Sequence, residues 1–585
     1  MKAMKKIISV CLLFCVILSV PVMLPASAAE QTEAAGSTAK EITSLEDLQN
    51  MEENIQYYLT KDLVIKCSEA LTEEAPINTK SRTSSGTNLF YLDGRGHSIL
   101  FVNEDGTASV SVKNGIFLYL GSGSVISNLT IGSPEFPITF DQGDGHVGAI
   151  ATRVQKSTTL SNIHVYCSID NTKRGKSNNY IGGLVGKVTG GTLTVENCTV
   201  NGTYVSGATG TATCFGGLVG RMQGETILEV LNSRATLRIG EVKTGHVGGI
   251  LGCADAGVKY EIINSSAELA LTDAASCACA VGGIVGNNRI DGSKGDSVIG
   301  LCSYTVTGGG TAGKTVFGND ATGDEAETVL GEHKLLITGM GKTFALNMVA
   351  GASVRLNAEN PGLRFRTEIS KADWEKLNGS GYFEGFGTVI TPKALVETAH
   401  GILSSANLKS VHGANGYVTV PFDPSQGWNR ETEAAYSVTG SLARITDYSM
   451  ELCGLGFATV RINGVGYRLY ADFDPSCGRS VKAVAQMALD HAEADGISYT
   501  EDEMAVLKEF TTNTGYQSTA LLTQVGLNFT NRYNGMSYVL RTEQNSFIVI
   551  DGGFAGEGEE DNIYQVLQSQ AKKNYRCGVD SDPSA

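Results

Sequence analysis

Proline, histidine and tryptophan are scarce in this 585-residue sequence, with 11, eight and two residues respectively. The histidines form no H-x-H pair and the cysteines form no C-x-x-C pair. These are the short motifs that most often supply zinc ligands, so neither a structural nor a catalytic zinc site is indicated. We therefore predict no catalytic residue, no metal ligand and no bound cofactor in the sequence as it stands.

Basic residues are also few, because 45 lysines and arginines face 61 acidic residues and the formal net charge is −16. Removing residues 1–28, which contain three lysines and no acid, moves that charge to −19. A strongly acidic chain repels a phosphate backbone. We expect no nucleic-acid partner.

Residues 1–28 have the pattern of a signal peptide. Three lysines precede an apolar run over 7–24, and small residues follow at 26–28. Pro21 and Pro25 interrupt this run before it comfortably spans a bilayer, and no later apolar run is long enough to do so. We predict a secreted protein, or one on the outer surface of a bacterium, without a transmembrane segment after signal cleavage.

Glycine is abundant, with 71 residues, and part of it is periodic. The octapeptides YIGGLVGK, CFGGLVGR, HVGGILGC and AVGGIVGN place their first glycines at Gly182, Gly216, Gly248 and Gly282. The spacings are 34, 32 and 34 residues, and a weaker copy, HVGAIATR, lies 34 residues upstream. Such a period indicates stacked repeats, with the paired glycines at a corner where a Cβ would crowd the next coil.

Asparagine follows the same period. It recurs at Asn128, Asn162, Asn197, Asn232 and Asn264, each time after a short β-prone run. In stacked coils, equivalent positions lie about 4.8 Å apart, so these amides can bond from coil to coil at a corner that asparagine tolerates. We predict a mainly β protein whose first part is a right-handed parallel β-helix, or β-solenoid.

These repeats resemble the GLUG motif family of bacterial surface proteins, and YLDGRGHSI at 91–99 resembles the strand that often precedes them. The resemblance covers about 85–305. We expect a linker and solenoid cap at 29–84 and a Gly/Thr-rich linker at 306–342. Asp93 and His97 fit the turn signature of that entry strand, with a surface imidazole. Asp141 and Asp144 could ligate calcium, although a solvated loop also explains them.

The sequence pattern over 343–510 differs from that of the repeats. Strand-like runs alternate with turns, Asn463-Gly464 predicts a tight hairpin, and 480–495 has helical periodicity. The segments ASVRL, GLRF and TGSLARI resemble a β-rich module, of no known activity, that recurs in exported proteins of Gram-positive anaerobes. We predict a sandwich-like accessory module with a C-terminal helix. His400, His412 and His491 are not at ligand spacing and are expected at the surface.

The tail SYVLRTEQNSFIVIDGGF predicts two strands that lead into Asp551, Gly552 and Gly553. It resembles the opening of the metallo-β-lactamase fold, in which the aspartate of this turn supports the metal loop. That family continues with T-H-x-H-x-D-H, but no histidine follows His491 here. The resemblance therefore implies a truncated αββα fragment over 534–585, and zinc only where the missing hydrolase region exists.

Two functions follow from these patterns. The first is an exported solenoid that binds glycans or surface proteins in adhesion, without catalysis. The alternative is the N-terminal portion of a larger exported metallo-β-lactamase-superfamily hydrolase. A polysaccharide lyase would need acids on neighbouring coils, and the acids are not in register with the repeat. Of the eleven cysteines after residue 28, we expect most to be free and buried.

Overall fold

The computed structural model describes most of the chain from residue 39 onward. The described residues are 39–67, 77, 87–121, 123–141, 145–171, 179–206, 213–242, 245–272, 280–308, 315–320, 327–398, 417–445, 447–472, 478–513, 521–525, 537–541 and 547–551. The predicted signal peptide and the positions Asp144, His400, His412, Gly552 and Gly553 lie outside them. No helix within these ranges is long and apolar enough to cross a membrane.

The first part is a β-solenoid of about seven turns, as predicted. Its strands are β1 Lys40–Glu41, β2 Gln56–Tyr58, β3 Leu63–Lys66, β4 Tyr91–Asp93, β5 Ser98–Val102, β6 Ser111–Val112, β7 Phe117–Leu120, β8 Ser124–Ile131, β9 Ile138–Asp141, β10 His146–Val147, β11 Ala151–Val154, β12 Thr158–Asn171, β13 Tyr180–Gly182, β14 Val185–Val188, β15 Thr192–Glu196, β16 Thr199–Ser206, β17 Cys214–Gly216, β18 Val219–Met222, β19 Ile227–Leu231, β20 Arg234–Val242, β21 His246–Gly248, β22 Leu251–Ala254, β23 Lys259–Ile263, β24 Ser266–Leu271, β25 Ala280–Gly282, β26 Val285–Asn288, β27 Ser297–Gly300, β28 Ser303–Thr307, β29 Phe317–Asp320, β30 Glu327–Leu330 and β31 His333–Thr338.

One coil shows the plan of all of them. Strands β13 and β14 are separated by a glycine corner, β15 follows after a turn, and Asn197 bends the chain into β16. Each strand pairs in parallel with its equivalent one coil later, as Tyr180 pairs with Cys214 and Val185 with Val219. Inward side chains such as those of Leu184 are fully buried, so the core is a continuous apolar column inside the coils.

Parallel pairing extends to both sides of 85–305. In the segment expected as a linker and cap, β1 pairs in parallel with β2, β2 with β4 and β3 with β5, so the stacking of coils already begins there. Helix α1, Leu45–Gln49, begins after Ser44, whose side chain accepts a hydrogen bond from the Asp47 amide. In the segment expected as a Gly/Thr-rich linker, β29 pairs with β26 and β31 with β27. That expectation was wrong for these strands, which add one more coil.

The second part contains two antiparallel sheets. Its strands are β32 Leu346–Met348, β33 Ser353–Arg355, β34 Gly362–Ser370, β35 Phe383–Pro392, β36 Val418–Phe422, β37 Arg430–Glu431, β38 Ala435–Ala443, β39 Leu452–Ile462 and β40 Val465–Tyr470. Strands β32, β33, β34, β38 and β37 form one sheet, and β36, β35, β39 and β40 form the other. The sheets face each other closely enough that a Cβ on Gly454 would lie 2.2 Å from the Phe365 ring. This arrangement is a sandwich.

Helices cover the sandwich. They are α2 Lys371–Asn378, α3 Lys393–Thr398, α4 Val481–Asp495 and α5 Glu501–Thr512, with one 3₁₀ turn at Pro424–Gln426. Helix α4 begins after Ser480, where the sequence predicted it, and the Asn463-Gly464 turn joins β39 to β40 as expected. Strands β41 Leu521–Val525, β42 Ser537–Arg541 and β43 Phe547–Asp551 form a separate antiparallel sheet, which includes the predicted tail hairpin.

The sandwich packs on the last coils of the solenoid. Leu231, Ile263, Val298 and Leu301 of the coils share one apolar cluster with the sandwich. A Cβ on Gly300 would come within 2.7 Å of the Ile462 side chain, so the two parts are in direct contact. Because this junction is apolar and buried, it favours a fixed contact between the solenoid and the sandwich.

One disulfide forms in the described ranges, where most cysteines are free, as expected. Cys214 and Cys253 are bonded, with their Cα atoms 5.7 Å apart. They stand at neighbouring corners of successive coils, because Cys214 pairs in register with His246 and Cys253 with Arg221. The other cysteines in the described ranges are free and buried, as expected: Cys67, Cys167, Cys198, Cys302 and Cys453.

Candidate ligand-binding face

The predicted asparagine positions form a structural corner. All five have φ between 48° and 53°, the left-handed region that asparagine tolerates better than other side chains. Asn162 donates to the Asn128 side chain at 3.0 Å, and Asn264 donates to that of Asn232 at 2.9 Å. Coil-to-coil amide bonding therefore exists, as the spacing predicted.

The last three asparagines also hold the sandwich. Asn197 donates to the carbonyl oxygen of Ala471 at 3.3 Å, and Asn232 donates to that of Tyr470 at 2.9 Å. Asn264 donates to the Phe344 carbonyl at 2.8 Å and accepts from the Phe344 amide at 2.9 Å. The asparagine corner, defined here by the five predicted positions, is thus also a docking surface within the chain.

The four predicted glycines share one geometry. A Cβ on Gly182, Gly216, Gly248 or Gly282 would lie 1.8–2.2 Å from the carbonyl oxygen three residues later. Backbone atoms of the next coil lie within 2.4–2.6 Å of the same point. Any side chain at these positions would force the coils apart, so the glycine repeat is structural rather than functional.

Acidic residues do recur in register, contrary to our expectation. Glu229 pairs with Glu261 on the next coil. On the coil before, the residue that pairs with Glu229 is Thr194, and Glu196 lies two residues further along the strand. The sandwich covers this face, and Glu196 is only 1% exposed. Burial raises the pKa of Tyr467, and the nearby Glu261 carboxylate raises it further. These acids do not form an open lyase groove.

The remaining sequence-derived positions carry little chemistry. Asp93 accepts hydrogen bonds from the Arg95 amide and the Asn128 side chain, both at 2.9 Å, and His97 lies 3.6 Å from Asp62. This is the expected structural turn with a surface imidazole. Among the described residues, no group of three or more His, Cys, Asp or Glu side chains is placed to hold a metal ion. Asp551 ends strand β43.

A separate sheet of the coils, formed by β7, β11, β14, β18, β22, β26 and β29, carries basic side chains in a line. Strand register aligns one outward position of seven successive coils, in the order Tyr119, Arg153, Lys187, Arg221, Cys253, Asn287, Asn319. We call Arg153, Lys187 and Arg221 the cation row. Strand separation in a sheet is about 4.8 Å, so these positions repeat at that interval.

Tyrosines contact this row from within the same face. The Arg153 guanidinium carbon lies 5.7 Å from the centre of the Tyr119 ring, and Lys187 Nζ lies 5.5 Å from the centre of the Tyr180 ring. Tyr180 also receives a 2.6 Å hydrogen bond from Arg221 Nη1, and the His146 ring stacks on it at 4.5 Å. The rings orient the cations without neutralising them.

Only one end of the row is neutralised. Arg221 donates to Asp255 Oδ2 through Nε at 3.1 Å and Nη2 at 2.7 Å. Arg153 and Lys187 make no ion pair with any residue in the described ranges, and Arg153 Nε is buried without a hydrogen-bond partner there. Two half-buried positive charges therefore stand side by side without an ion-pair partner in the part of the chain that the structure describes.

The electrostatic effect of this crowding is visible in Lys187. Burial, and then the charges of Arg153 and Arg221, lower the pKa of Lys187, although Asp255 opposes the shift. Burial also lowers the pKa of His246, with smaller effects from Arg289 and Arg221. An anion placed along the row would relieve this repulsion, so the face is suited to a negatively charged ligand.

Our reading of the sequence missed this row, although its residues stand in the repeated octapeptides. They are the last residue of HVGAIATR, YIGGLVGK and CFGGLVGR, and the later copies end in cysteine and asparagine. A position that changes identity from copy to copy gives no repeat signal. Its shared charge in three consecutive copies was the signal that could have found it.

Comparisons with known proteins give a distant similarity. No family model matches the chain. An immunoglobulin A1 protease of Streptococcus sanguinis is 29% identical over 192 residues, which cover 28% of this chain and 10% of that protein. A solved Bacteroides ovatus protein described as a candidate immunoglobulin A1 protease covers 51% of this chain and 83% of its own, at 15% identity. Its TM-score of 0.31 is too low to inform the fold.

The chain thus spans about a tenth of the length of the streptococcal relative. It has weak similarity to immunoglobulin A1 protease-like proteins, and this similarity does not establish a family. The resemblances to GLUG repeats and to the metallo-β-lactamase opening stay predictions.

Proposed function

We propose that this protein is an exported β-solenoid that binds acidic glycan chains along its cation row, as a surface adhesion or polymer-binding protein without catalysis of its own. The observation that carries the proposal is the pair Arg153 and Lys187, two neighbouring cations without an ion-pair partner in the described ranges. The protein as a whole is acidic, with a net charge of −16. A local row of unbalanced cations on such a protein favours an anionic partner.

The spacing of the row favours a linear polymer. Positions on successive coils lie about 4.8 Å apart, which is the scale of consecutive sugars in an extended polysaccharide. Carboxylate or sulfate groups on successive sugars can therefore each meet one cation. Guanidinium groups bind such oxyanions through paired hydrogen bonds, and the lysine adds a point charge.

The Cys214–Cys253 disulfide supports the exported setting. Disulfides form and persist in oxidising compartments outside the cytosol. The signal-peptide pattern of residues 1–28 points the same way. An extracellular protein would meet acidic glycans directly.

Calorimetric titration with a heparin-derived hexasaccharide, an oligogalacturonate of equal length and neutral cellohexaose tests this function. We expect both acidic hexasaccharides to bind and cellohexaose not to bind. Arg153→Gln/Lys187→Gln should weaken binding roughly 30-fold, because each lost pair contributes about 1 kcal/mol. Lys66→Gln/Arg238→Gln removes the same charge from exposed positions elsewhere and should leave the affinity nearly unchanged. Equal losses in both variants, or no binding of either acidic sugar, would refute the proposal.

Surface proteins are the other partner class that we predicted. The streptococcal similarity makes immunoglobulin A1 the first protein to include in the same titration. Proteolysis is not proposed, because the match spans a tenth of that relative. Binding that survives Arg153→Gln/Lys187→Gln would place such a partner elsewhere on the molecule.

A second function concerns the tail. Strands β42 and β43 pair in an antiparallel hairpin that ends at Asp551, which supports a metallo-β-lactamase-like opening. On this proposal the chain is the N-terminal portion of a larger exported hydrolase that uses zinc. Sequencing the 3′ end of the gene across the codon for Asn574, with the intact mass of the secreted protein, tests it. An H-x-H-x-D-H motif in the continued frame is the expected result, and a natural protein that ends at Ala585 would exclude this function.

A further inference from the structure

The sandwich carries a cavity that is separate from the cation row. It has a volume of about 460 Å³ and lies on the outer face of the sheet formed by β32, β33, β34, β38 and β37. Four arginines line it: Arg355, Arg364, Arg366 and Arg430. We call this the arginine cavity. Its volume falls within the range of roughly 300–1,000 Å³ that is typical of small-molecule sites.

Strand alternation places these arginines together. In β34, Leu363 and Phe365 are buried, and the alternating residues Arg364 and Arg366 point to the opposite side of the sheet. Cross-strand register then sets Ser441 beside Arg364 and Thr439 beside Arg366. A strand that is apolar on one side is thus strongly basic on the other.

Among the described residues, no carboxylate lines the cavity. None of the four arginines makes an ion pair with a residue in the described ranges, and Arg364 Nε is buried there without a hydrogen-bond partner. Arg364 Nη2 donates to the Val354 carbonyl at 2.7 Å, which fixes one edge of that guanidinium. Burial, followed by the charges of Arg366 and Arg355, lowers the pKa of Arg364.

The nearest acid along β34 is Glu368, the next outward residue, and it accepts a 3.3 Å hydrogen bond from Ser437. It is not part of the lining. Four guanidinium groups around one concavity repel one another, and a bound oxyanion would reverse that repulsion. The charge and shape of the cavity therefore point to a compact anionic ligand.

We propose that the arginine cavity binds an anionic saccharide, in which a sulfate, phosphate or carboxylate group on a sugar contacts the arginines. The rest of the lining is Ser353, Asn429, Thr439 and Ser441, so it offers hydroxyl and amide groups and no apolar or aromatic side chain. Sugar hydroxyls find hydrogen-bond partners there, whereas an apolar peptide side chain finds no apolar surface in the described lining. The side-chain Oδ1 of Asn429 already accepts a 2.7 Å hydrogen bond from the Thr439 amide, which leaves the side-chain NH₂ group of Asn429 as a donor.

This site is independent of the proposed function. The cation row lies on the solenoid and repeats along a polymer, while the arginine cavity is a single concavity on the sandwich. To separate the two sites, ligand binding to the cavity would be measured in the full chain that carries Arg153→Gln/Lys187→Gln. A failure at one site then leaves the result at the other intact.

The test is calorimetric titration of that protein with a fully sulfated heparin disaccharide, its desulfated form, glucose 6-phosphate and a phosphoserine peptide of matched charge. We expect the sulfated disaccharide and glucose 6-phosphate to bind and the desulfated sugar not to bind. Arg366→Gln/Arg430→Gln should weaken binding at least tenfold. Arg234→Gln/Arg238→Gln, an equal charge loss at exposed solenoid positions, should change it less than twofold.

Arg366→Lys controls for a folding defect, because lysine keeps the positive charge but lacks the planar guanidinium group. An intermediate loss of affinity with an unchanged near-ultraviolet circular dichroism spectrum would support direct contact. Equal binding by the cavity variant and its control would overturn the site. Stronger binding of the phosphoserine peptide than of either charged sugar, or no binding of any anionic probe, would overturn the saccharide assignment.

Discussion

The asparagine corner and the cation row are two edges of the same solenoid coils, and they differ in how their polar groups are paired. At the asparagine corner, the backbone of each asparagine is in the left-handed region, and its side-chain amide bonds to the neighbouring coil or to the sandwich. Asn264, for example, bonds to Asn232 and Phe344. Along the cation row, Arg153 and Lys187 lie on neighbouring coils without an ion-pair partner in the described ranges. One edge is satisfied by contacts within the protein, and we propose that a ligand satisfies the other.

The two edges differ in how strictly the fold fixes the residue at each position. Positions that must be identical in every coil hold the stack together, since a wrong residue there disturbs backbone contacts on both sides. Positions that point outward are free to vary, and three consecutive coils use that freedom for charge. Mutations should therefore separate stability from binding along these two edges.

The largest expected effect is at the glycine corner. Gly216→Ala would place a methyl group 1.8 Å from the Val219 carbonyl oxygen and 2.5 Å from the Gly252 amide nitrogen. Neither backbone atom can move without moving its coil, so we expect a loss of about 4 kcal/mol or more in unfolding free energy. Gly466→Ala is the matched control, because only a flexible Arg461 side chain lies near, at 3.9 Å. Similar urea midpoints for the two variants would show that the glycine corner is not needed for stacking.

A smaller loss is expected at the asparagine corner. Asn264→Ala removes three hydrogen bonds, two of them to the Phe344 backbone, and puts alanine at φ 48°. We expect about 3 kcal/mol of destabilisation, measured by urea unfolding. Asn264→Gly keeps the backbone conformation and should recover about 1 kcal/mol. No loss in either variant would mean that the sandwich docks without this asparagine.

The disulfide should contribute at a similar or slightly lower level. Cys214→Ser/Cys253→Ser opens a link between residues 39 apart, which should cost about 2–4 kcal/mol. Because the bond lies beside Tyr180 but carries no charge, binding of an acidic hexasaccharide below the unfolding transition should change less than threefold. A large loss of affinity in a folded double variant would give the disulfide a direct part in the binding face.

The effect of pH on binding should be smaller and confined to alkaline conditions. A bound anion raises the pKa of Lys187 from its lowered value in the free protein. Lysine-dependent affinity is then complete below the pKa of the free protein and is lost as pH rises through the pKa of the complex. Lys187→Arg should flatten the alkaline fall in affinity, since arginine stays charged. An unchanged pH profile in this variant would exclude Lys187 as the titrating group.

The buried thiols should show the smallest effect, on reactivity rather than on stability. Burial raises the pKa of Cys167, Cys198 and Cys302 to about 12, so their thiolates are rare near neutral pH. Peptide mapping after alkylation of the native protein at pH 8 should find these three unmodified. Denaturation without reductant should expose them, while Cys214 and Cys253 remain protected. Rapid labelling of Cys198 in the native protein would contradict the described core.

Much of the solenoid could be predicted from its sequence, because its constraints recur at a fixed period. The asparagine and glycine positions, the coil spacing and the Asn463-Gly464 hairpin all depend on local backbone requirements. The terminal coils were missed because they lack these markers. On the coil after Asn264, the corner is Leu301, in the same left-handed conformation and buried in the junction with the sandwich.

The junction, the disulfide and the arginine cavity could not be predicted in the same way. Asn264 meets Phe344 across 80 residues, and no periodicity links the two. Cys214 and Cys253 become neighbours only when coil register is known. Arg364 and Arg366 looked like ordinary outward residues of a strand, and only the pairing with β33 and β38 shows that they line a cavity.

Paired measurements of stability and binding on two variants test the central claim most directly. Urea unfolding and titration with the heparin-derived hexasaccharide would be carried out on Arg153→Gln/Lys187→Gln and on Asn264→Ala. We predict that the first variant keeps the wild-type unfolding midpoint and loses affinity roughly 30-fold. The second should lose stability and keep its affinity while folded. Loss of both properties together in either variant, or intact binding in the first, would contradict the separation of scaffold and ligand-binding edges.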